Sequence, residues 1–455
     1  MRTYLSDIGR IHIPFALIAL LALSAAPVFA QPASTFTDGT TTSGTDPRRL
    51  GNTSRVAGEL LTDNDPSASP DQQRLANEYQ PKGIEAGSFL VFPEATSDLL
   101  RSNNIYATKN NRIGDWVSRN KVGFRAQSRY NVHKLDFSAD IEKLWYRKEV
   151  ANNQINGRFA IDGRFDLERG TELTGFATAY VQHEDRGAAD ATGGVKPAQI
   201  FGNVQTLGGR TTTGAWIHSG DFTRTQLQYS DVAGASGNTI RNSRRDRTEY
   251  KVTGRTAYEM FPGYYAVGYG TANRRDYASA ISLGNVNRDS QGFGVYTGAG
   301  VDLTQLIRGD FLVGYIRQDY VSPALKDPAG FAVRMTLNWT PDRQTLIVPA
   351  IDREILESTS TGISGIMRTS ASLLARREVQ RNIIVTGYVA LNQDKYIGSN
   401  TPSYGFETRG TLTYAFNANL FTTGEVGYRQ RKADSTAIVS GFDQVTTMLR
   451  LGIRM

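Results

Sequence analysis

The sequence predicts an all-β protein, a transmembrane antiparallel β-barrel of about eighteen strands behind a flexible N-terminal leader. Three observations carry that expectation. From about residue 87 to the end, segments of about ten residues alternate apolar and polar side chains. The polar phase is densely charged with both signs, as a water-filled lumen would be. The connections alternate between short and long, as periplasmic turns and extracellular loops do. The low mean hydropathy does not oppose this, because a barrel averages an oily exterior against an equally large wet interior. A soluble sandwich would also alternate, but without the dense lumen-like charge and the regular change of loop length.

Residues 1–30 read as a processing signal. Arg2 and Arg10 precede a mostly apolar stretch from Ile13 to Leu23, and Val28 and Ala30 stand at the −3 and −1 positions before Gln31. The apolar stretch is short for a membrane span, which needs about 20 residues. Residues 31–85 are rich in Ser, Thr, Asp, Pro and Gly and too poor in apolar residues to offset ordering entropy, so they read as a flexible periplasmic leader, with a short helix around Asp71–Tyr79. Residues 86–455 form the barrel. The expected strands are 87–98, 118–130, 134–146, 154–167, 171–182, 203–217, 221–231, 247–259, 263–275, 291–303, 309–320, 329–339, 343–353, 364–376, 381–393, 404–415, 419–431 and 444–455. Sixteen is the alternative even count, and either places both termini in the periplasm. Pro93 is an awkward residue for a strand unless it sits at an edge. The last segment places Thr447, Leu449, Leu451, Ile453 and Met455 on one face; in a soluble sheet they would form an exposed, aggregating edge.

The composition excludes several chemistries. No cysteine means no disulfide scaffold, thiolate zinc site, iron–sulfur cluster or cysteine nucleophile. His12, His133, His183 and His218 are far apart, and the last three fall at expected turns or loop starts, which opposes a catalytic triad or a metal site. Gly292-Phe293-Gly294 lies inside a strand and not before a helix, so it is no phosphate-cradling loop. The expectation is a non-enzyme without cofactor or metal. The net charge is +7, and no nucleic-acid recognition motif is present. Arg241, Arg244, Arg245 and Arg247 cluster in one expected external loop and could meet lipopolysaccharide phosphates or an acidic polymer. Trp145, Tyr146, Tyr229, Tyr258, Tyr264, Tyr265, Tyr315, Trp339, Tyr414 and Tyr428 suit interfacial girdles.

A charge facing lipid at mid-depth costs about 2–4 kcal/mol, so the charged phase must face inward. The lumen-lining candidates are Arg125, Arg129, Asp136, Asp140, Glu142, Arg158, Asp162, Arg164, Lys251, Arg255, Arg334, Glu407, Arg409, Glu425, Arg429, Arg450 and Arg454. Cations predominate, which would favour anionic solutes through a focused field and Arg–carboxylate pairing. The competing reading is that these charges form salt-bridged ladders that stabilise the wall.

Several stretches resemble the putative beta-barrel porin 2 family: Gly87-Ser88-Phe89-Leu90-Val91-Phe92-Pro93 followed by Asn103-Asn104-Ile105-Tyr106-Ala107-Thr108, then Asn287-Arg288-Asp289-Ser290-Gln291-Gly292-Phe293, Arg308-Gly309-Asp310-Phe311-Leu312-Val313-Gly314-Tyr315, and Leu337-Asn338-Trp339-Thr340-Pro341. Their order over residues 85–455 carries the resemblance. The family usually has acidic residues before its Asn-Ile-Tyr element, where Ser102-Asn103 stands here. The family occurs in exopolysaccharide and capsule gene clusters, so the resemblance implies an outer-membrane conduit of a Gram-negative bacterium for exopolysaccharide export, in contact with outer-membrane lipid, an anionic polysaccharide and periplasmic export proteins. Two alternatives stand beside it: a porin for small anionic solutes, and a non-transporting barrel closed by its loops or leader.

Overall fold

The computed structural model describes residues 79–455 except 169, 280–285 and 304–305. The signal segment, the expected helix before Tyr79 and most of the leader lie outside the described residues. Eighteen long strands are found among the described residues. They are β1 Phe89–Ser102, β2 Asp115–Ser128, β3 Lys134–Tyr146, β4 Gln154–Glu168, β5 Thr171–His183 and β6 Gln199–Thr213. Next come β7 Trp216–Tyr229, β8 Arg247–Phe261, β9 Tyr264–Tyr277, β10 Ser290–Leu303, β11 Ile307–Tyr320 and β12 Ala329–Asp342. The last are β13 Thr345–Glu357, β14 Gly365–Gln380, β15 Ile383–Tyr396, β16 Ser403–Ala415, β17 Leu420–Lys432 and β18 Phe442–Arg454.

Each strand pairs antiparallel with its sequence neighbour, and β18 returns to pair with β1 from Glu94–Arg454 to Ser102–Thr446, closing the ring. Closure removes both sheet edges, which is what allows strands to stand in lipid. Ile84–Ala86 pairs with Phe89–Val91, on the stretch of β1 that β18 does not reach. Pro93 lies where that pairing changes hands, and its carbonyl accepts the Met455 amide. A residue that donates nothing is tolerated there.

The alternation resolves as expected. On β1, Thr96, Asp98, Leu100 and Ser102 are buried while Ala95, Ser97, Leu99 and Arg101 are exposed outward. On β10, Phe293 and Val295 face out and the glycines face in. Gly300 has a specific reason to lack a side chain: a Cβ there would sit 2.7 Å from an Asp310 carboxylate oxygen.

The sequence misplaces one hairpin by about four residues, and two others by less: the expected turns at 340–342 and 378–380 are strand, and the chain turns at 343–344 and 381–382. His218-Ser219-Gly220-Asp221 was the expected turn, but these residues lie within β7, registered with Thr256, Arg255, Gly254 and Thr253. The turn is Gly214-Ala215, where Gly214 takes φ +57°. Turn-like residues are equally at home on a strand whose inner face is wet. His218 is therefore an outward strand residue stacked on Trp216 at 5.8 Å, not a solvated turn histidine. His183 closes β5 and bonds Asn156 at 2.8 Å, while His133 stays in its turn and stacks on Phe165 at 4.2 Å. Of the girdle aromatics, Tyr146, Tyr229 and Tyr265 share the inward phase of their strands, so they are not girdle residues.

One ladder is incomplete. β12 and β13 register only at Arg334–Asp352, Met335–Ile351, Thr336–Ala350, Trp339–Ile347 and Asp342–Thr345. Pro349, which has no amide hydrogen, falls in the gap below Ala350. Above Asp352, β13 keeps its pairing to β14 through Glu357–Gly365 but has left β12.

Candidate functional site: the barrel lumen and its loop-end constriction

The free upper end of the β13–β14 hairpin lies on the inner side of the wall. Ile355 packs against inward side chains of β8 to β12, a cluster that includes Val267, Tyr296, Leu312, Ile316 and Ala332. That apolar cluster is covered by the hairpin. Glu357 then reaches β9 and β11. Its carboxylate accepts from Arg275 Nη1 at 2.5 Å, Tyr277 Oη at 2.7 Å and Tyr320 Oη at 3.3 Å, with Arg288 Nη1 at 3.9 Å. Arg288 also donates to the carbonyls of Ile363 and Ser364 at the hairpin tip, at 2.5 and 3.1 Å. Glu357, Arg275 and Arg288 are all buried, so each charge depends on the others for solvation.

The 184–198 loop enters from the other side. Arg429 of β17 holds Asp185 at 2.6 Å, and the Arg431 guanidinium donates to the Gly187 carbonyl. β17 lies six strands around the ring from β5, so the loop reaches over part of the mouth. Arg245 fixes it from the 230–246 loop, pairing with Glu184 at 2.8 Å and Asp190 at 3.2 Å. The two inward segments meet where the Thr359 hydroxyl donates to the Asp190 carbonyl at 2.9 Å and Ala189 packs among Leu356, Ile363, Ile366 and Tyr396. Burial pushes the Asp190 carboxyl up to about 6 against the pull of Arg245. Burial likewise raises Asp246 to about 6.

This revises the arginine patch. Arg245 and Arg247 are 3 % and 5 % exposed, so they hold the constriction and do not form an external surface with Arg241 and Arg244.

Below the constriction, most lumen candidates stand in ion-pair ladders. Arg450 and Arg119 clasp Asp98 from either side, Arg450 Nε at 2.7 Å and Arg119 Nε at 2.6 Å. Arg255 reaches across two strands to Asp310 at 2.8 Å. Arg334 meets Asp352 at 3.3 Å and faces the Tyr269 ring at 5.1 Å. Arg409 bridges Glu407 at 2.8 Å and Glu425 at 3.7 Å. Asp140 takes Lys121 at 3.2 Å, Lys134 lies between Asp136 and Asp162, and Arg164 pairs with Asp166. Glu142 accepts the Asn156 amide at 2.8 Å. Arg429 serves the loop. Arg129 stands just past β2, exposed and paired with Glu85, on the turn and not on the wall.

A basic strip runs through the sector of the wall from β18 to β4. Lys121, Arg125 and Arg158 face inward there, with Arg454 at the rim, opposite Glu94 and Asp140. Arg125 covers the Phe92 ring at 5.1 Å, and Arg454 donates to the Tyr79 carbonyl at 2.9 Å. Lys251 makes no ion pair among the described residues. Of the constriction residues, Arg245, Arg247 and Arg429 are named by the sequence, but Glu357, Arg275, Asp185 and Asp190 are not, nor is Asp98 on the wall. Pro349 is the local signal for the end of β13 that leaves the wall.

Residues 77–455 match the Putative beta-barrel porin 2 family. The chain belongs to that family. It is thus an outer-membrane β-barrel of porin type, with the short turns and the start of β1 and end of β18 at the periplasmic end and the constriction at the extracellular mouth. No curated protein matches the sequence. Solved structures of similar trace include OccAB4 of Acinetobacter baumannii (11 % identity, 80 % of this chain and 98 % of that one, TM-score 0.42). OpdO of Pseudomonas aeruginosa (8 %, 81 % and 97 %, 0.42) and the siderophore receptor PirA of Acinetobacter baumannii (7 %, 80 % and 80 %, 0.41) are others. Such scores bear on neither substrate nor mechanism.

Proposed function

We propose that this porin-family barrel is a conduit for export of an anionic exopolysaccharide. The observation that supports it is the set of inward cations Lys121, Arg125, Arg158 and Arg454 in one sector of the wall, which reaches from the upper part of β4 down to the periplasmic rim on β18, where a polymer made inside the cell would enter. Guanidinium groups suit carboxylated sugars because they match a carboxylate's two oxygens in one plane. The gene-cluster association of the family points the same way. The reading assigns the chain no catalytic step, no cofactor and no metal, and gives it periplasmic export proteins as partners. Deleting the gene should abolish or sharply reduce surface polysaccharide, with restoration from a plasmid. Unchanged polysaccharide would overturn the reading.

The packed constriction favours a second reading, a selective porin for small anions, since a chain polymer needs the two inward segments to part. Planar-bilayer anion conductance that added polysaccharide does not block would support the small-solute reading. Polymer-dependent block would support export.

A further inference from the structure

The outward face of β1 to β3, at their extracellular ends, departs from an oily surface. Arg101 follows Leu99 on the outward phase, and its guanidinium lies over the Trp116 ring at 5.2 Å. Lys143 stands between outward Ile141 and Trp145, with its ammonium over the Trp145 ring at 4.7 Å. Both cations are exposed and make no ion pair among the described residues. Just below them the outward Ser97 hydroxyl donates to Asn120 at 2.9 Å. Tryptophan on a barrel exterior marks the level where acyl chains give way to headgroups. A cation held on a ring at that level keeps its charge but has no counter-ion of its own.

We propose that this face is a binding site for a phosphorylated glycolipid of the outer leaflet. Arg101 and Lys143 would take its phosphates, Ser97 and Asn120 its sugar hydroxyls, and the flanking apolar wall its acyl chains. The complementarity has three parts: unpaired positive charge for phosphate, the Ser97–Asn120 polar pair for sugar hydroxyls, and exposed Leu99 and Ile141 for lipid. Two other outward arginines already have acidic partners: Arg274 pairs with Asp276 at 2.8 Å and Arg317 with Asp319 at 2.6 Å. The site rests on the outer-membrane location and not on what the lumen carries.

The test titrates the full chain in detergent with diphosphoryl lipid A, monophosphoryl lipid A and phosphatidylcholine, counting bound lipids by native mass spectrometry. Diphosphoryl lipid A should bind about tenfold more tightly than the monophosphoryl form, and phosphatidylcholine weakly. The double variant Arg101→Gln with Lys143→Gln should lose that preference, while Arg274→Gln keeps it. Arg101→Lys with Lys143→Arg should retain it, which separates loss of charge from loss of fold. Inorganic phosphate at millimolar concentration should not displace the lipid; displacement would mean a free-phosphate site and overturn the proposal. Equal binding of the three lipids, or an unchanged preference in the double glutamine variant, would also overturn it.

Discussion

Replacing Glu357 with glutamine should open the extracellular mouth. The side chain keeps its shape, but Arg275 and Arg288 lose the carboxylate that stands 2.5 and 3.9 Å from them, and the hydroxyl groups of Tyr277 and Tyr320 lose a charged acceptor. Breaking a buried ion pair by removing one partner costs about 3–5 kcal/mol. The upper hairpin has no ladder to β12 to fall back on, so that loss weighs directly on its inward position. At about 1.4 kcal/mol per tenfold, the open arrangement should gain roughly two to three and a half orders of magnitude in population. Single-channel recording in planar bilayers should show long high-conductance openings in the variant that are rare in the parent. The chain has no cysteine, so Ser358→Cys, buried at the hairpin tip, gives a second readout. A membrane-impermeant maleimide should label it slowly in the parent background and quickly beside Glu357→Gln. If conductance and labelling both match the parent while the barrel still shifts on boiling in detergent gels, the role of Glu357 in holding the hairpin inward is refuted.

Asp98→Asn leaves Arg119 and Arg450 buried without their shared carboxylate. It should destabilise the barrel by about 3–5 kcal/mol, read as a lower temperature of gel-shift unfolding, whereas an unchanged temperature would show that the clasp contributes nothing. Burial holds the Asp190 carboxyl near 6 in the closed mouth, and it returns toward the ordinary carboxyl value once released. The closed arrangement therefore binds more protons, is most stable in acid and weakens as pH rises through about 6. Open probability should rise from pH 5 to pH 7.5, less steeply in Asp190→Asn, and an opposite slope would rule the linkage out. Exchanging Lys121 and Arg125 for glutamine should shift reversal potentials in a salt gradient toward cation preference; an unmoved potential would exclude the basic strip as the selectivity element.

The wall was legible because lipid and water each impose a local rule on every second residue. The Lys134–Tyr146 strand was expected at residues 134–146 and is found there. The constriction was not legible, because its partners are remote: Arg245 meets Asp190 across 55 residues and Arg429 meets Asp185 across 244. Polar loop residues look alike until the ring brings such pairs together. The arginines from 241 to 247 show the same limit, since a count of charges does not say which of them already have acids. Pro349 differs, because its effect is local and a missing amide hydrogen in a strand interior announces a broken ladder.

The clasp on Asp98 also bears on how the ring is assembled. Its carboxylate stands 352 residues from Arg450, so the two cannot meet until nearly every intervening hairpin has formed. Neighbouring hairpins need only short-range encounters, whereas this one contact must wait for the whole circle. Until then Asp98 and Arg450 lie on strands whose edges are still open to water, where charge is no burden. Once the first and last strands join, the same charges are enclosed and mutually satisfied. The junction is therefore tolerant while open and selective when shut, accepting the β18 register that puts Arg450 opposite Asp98 and penalising a slipped one with a stranded buried ion.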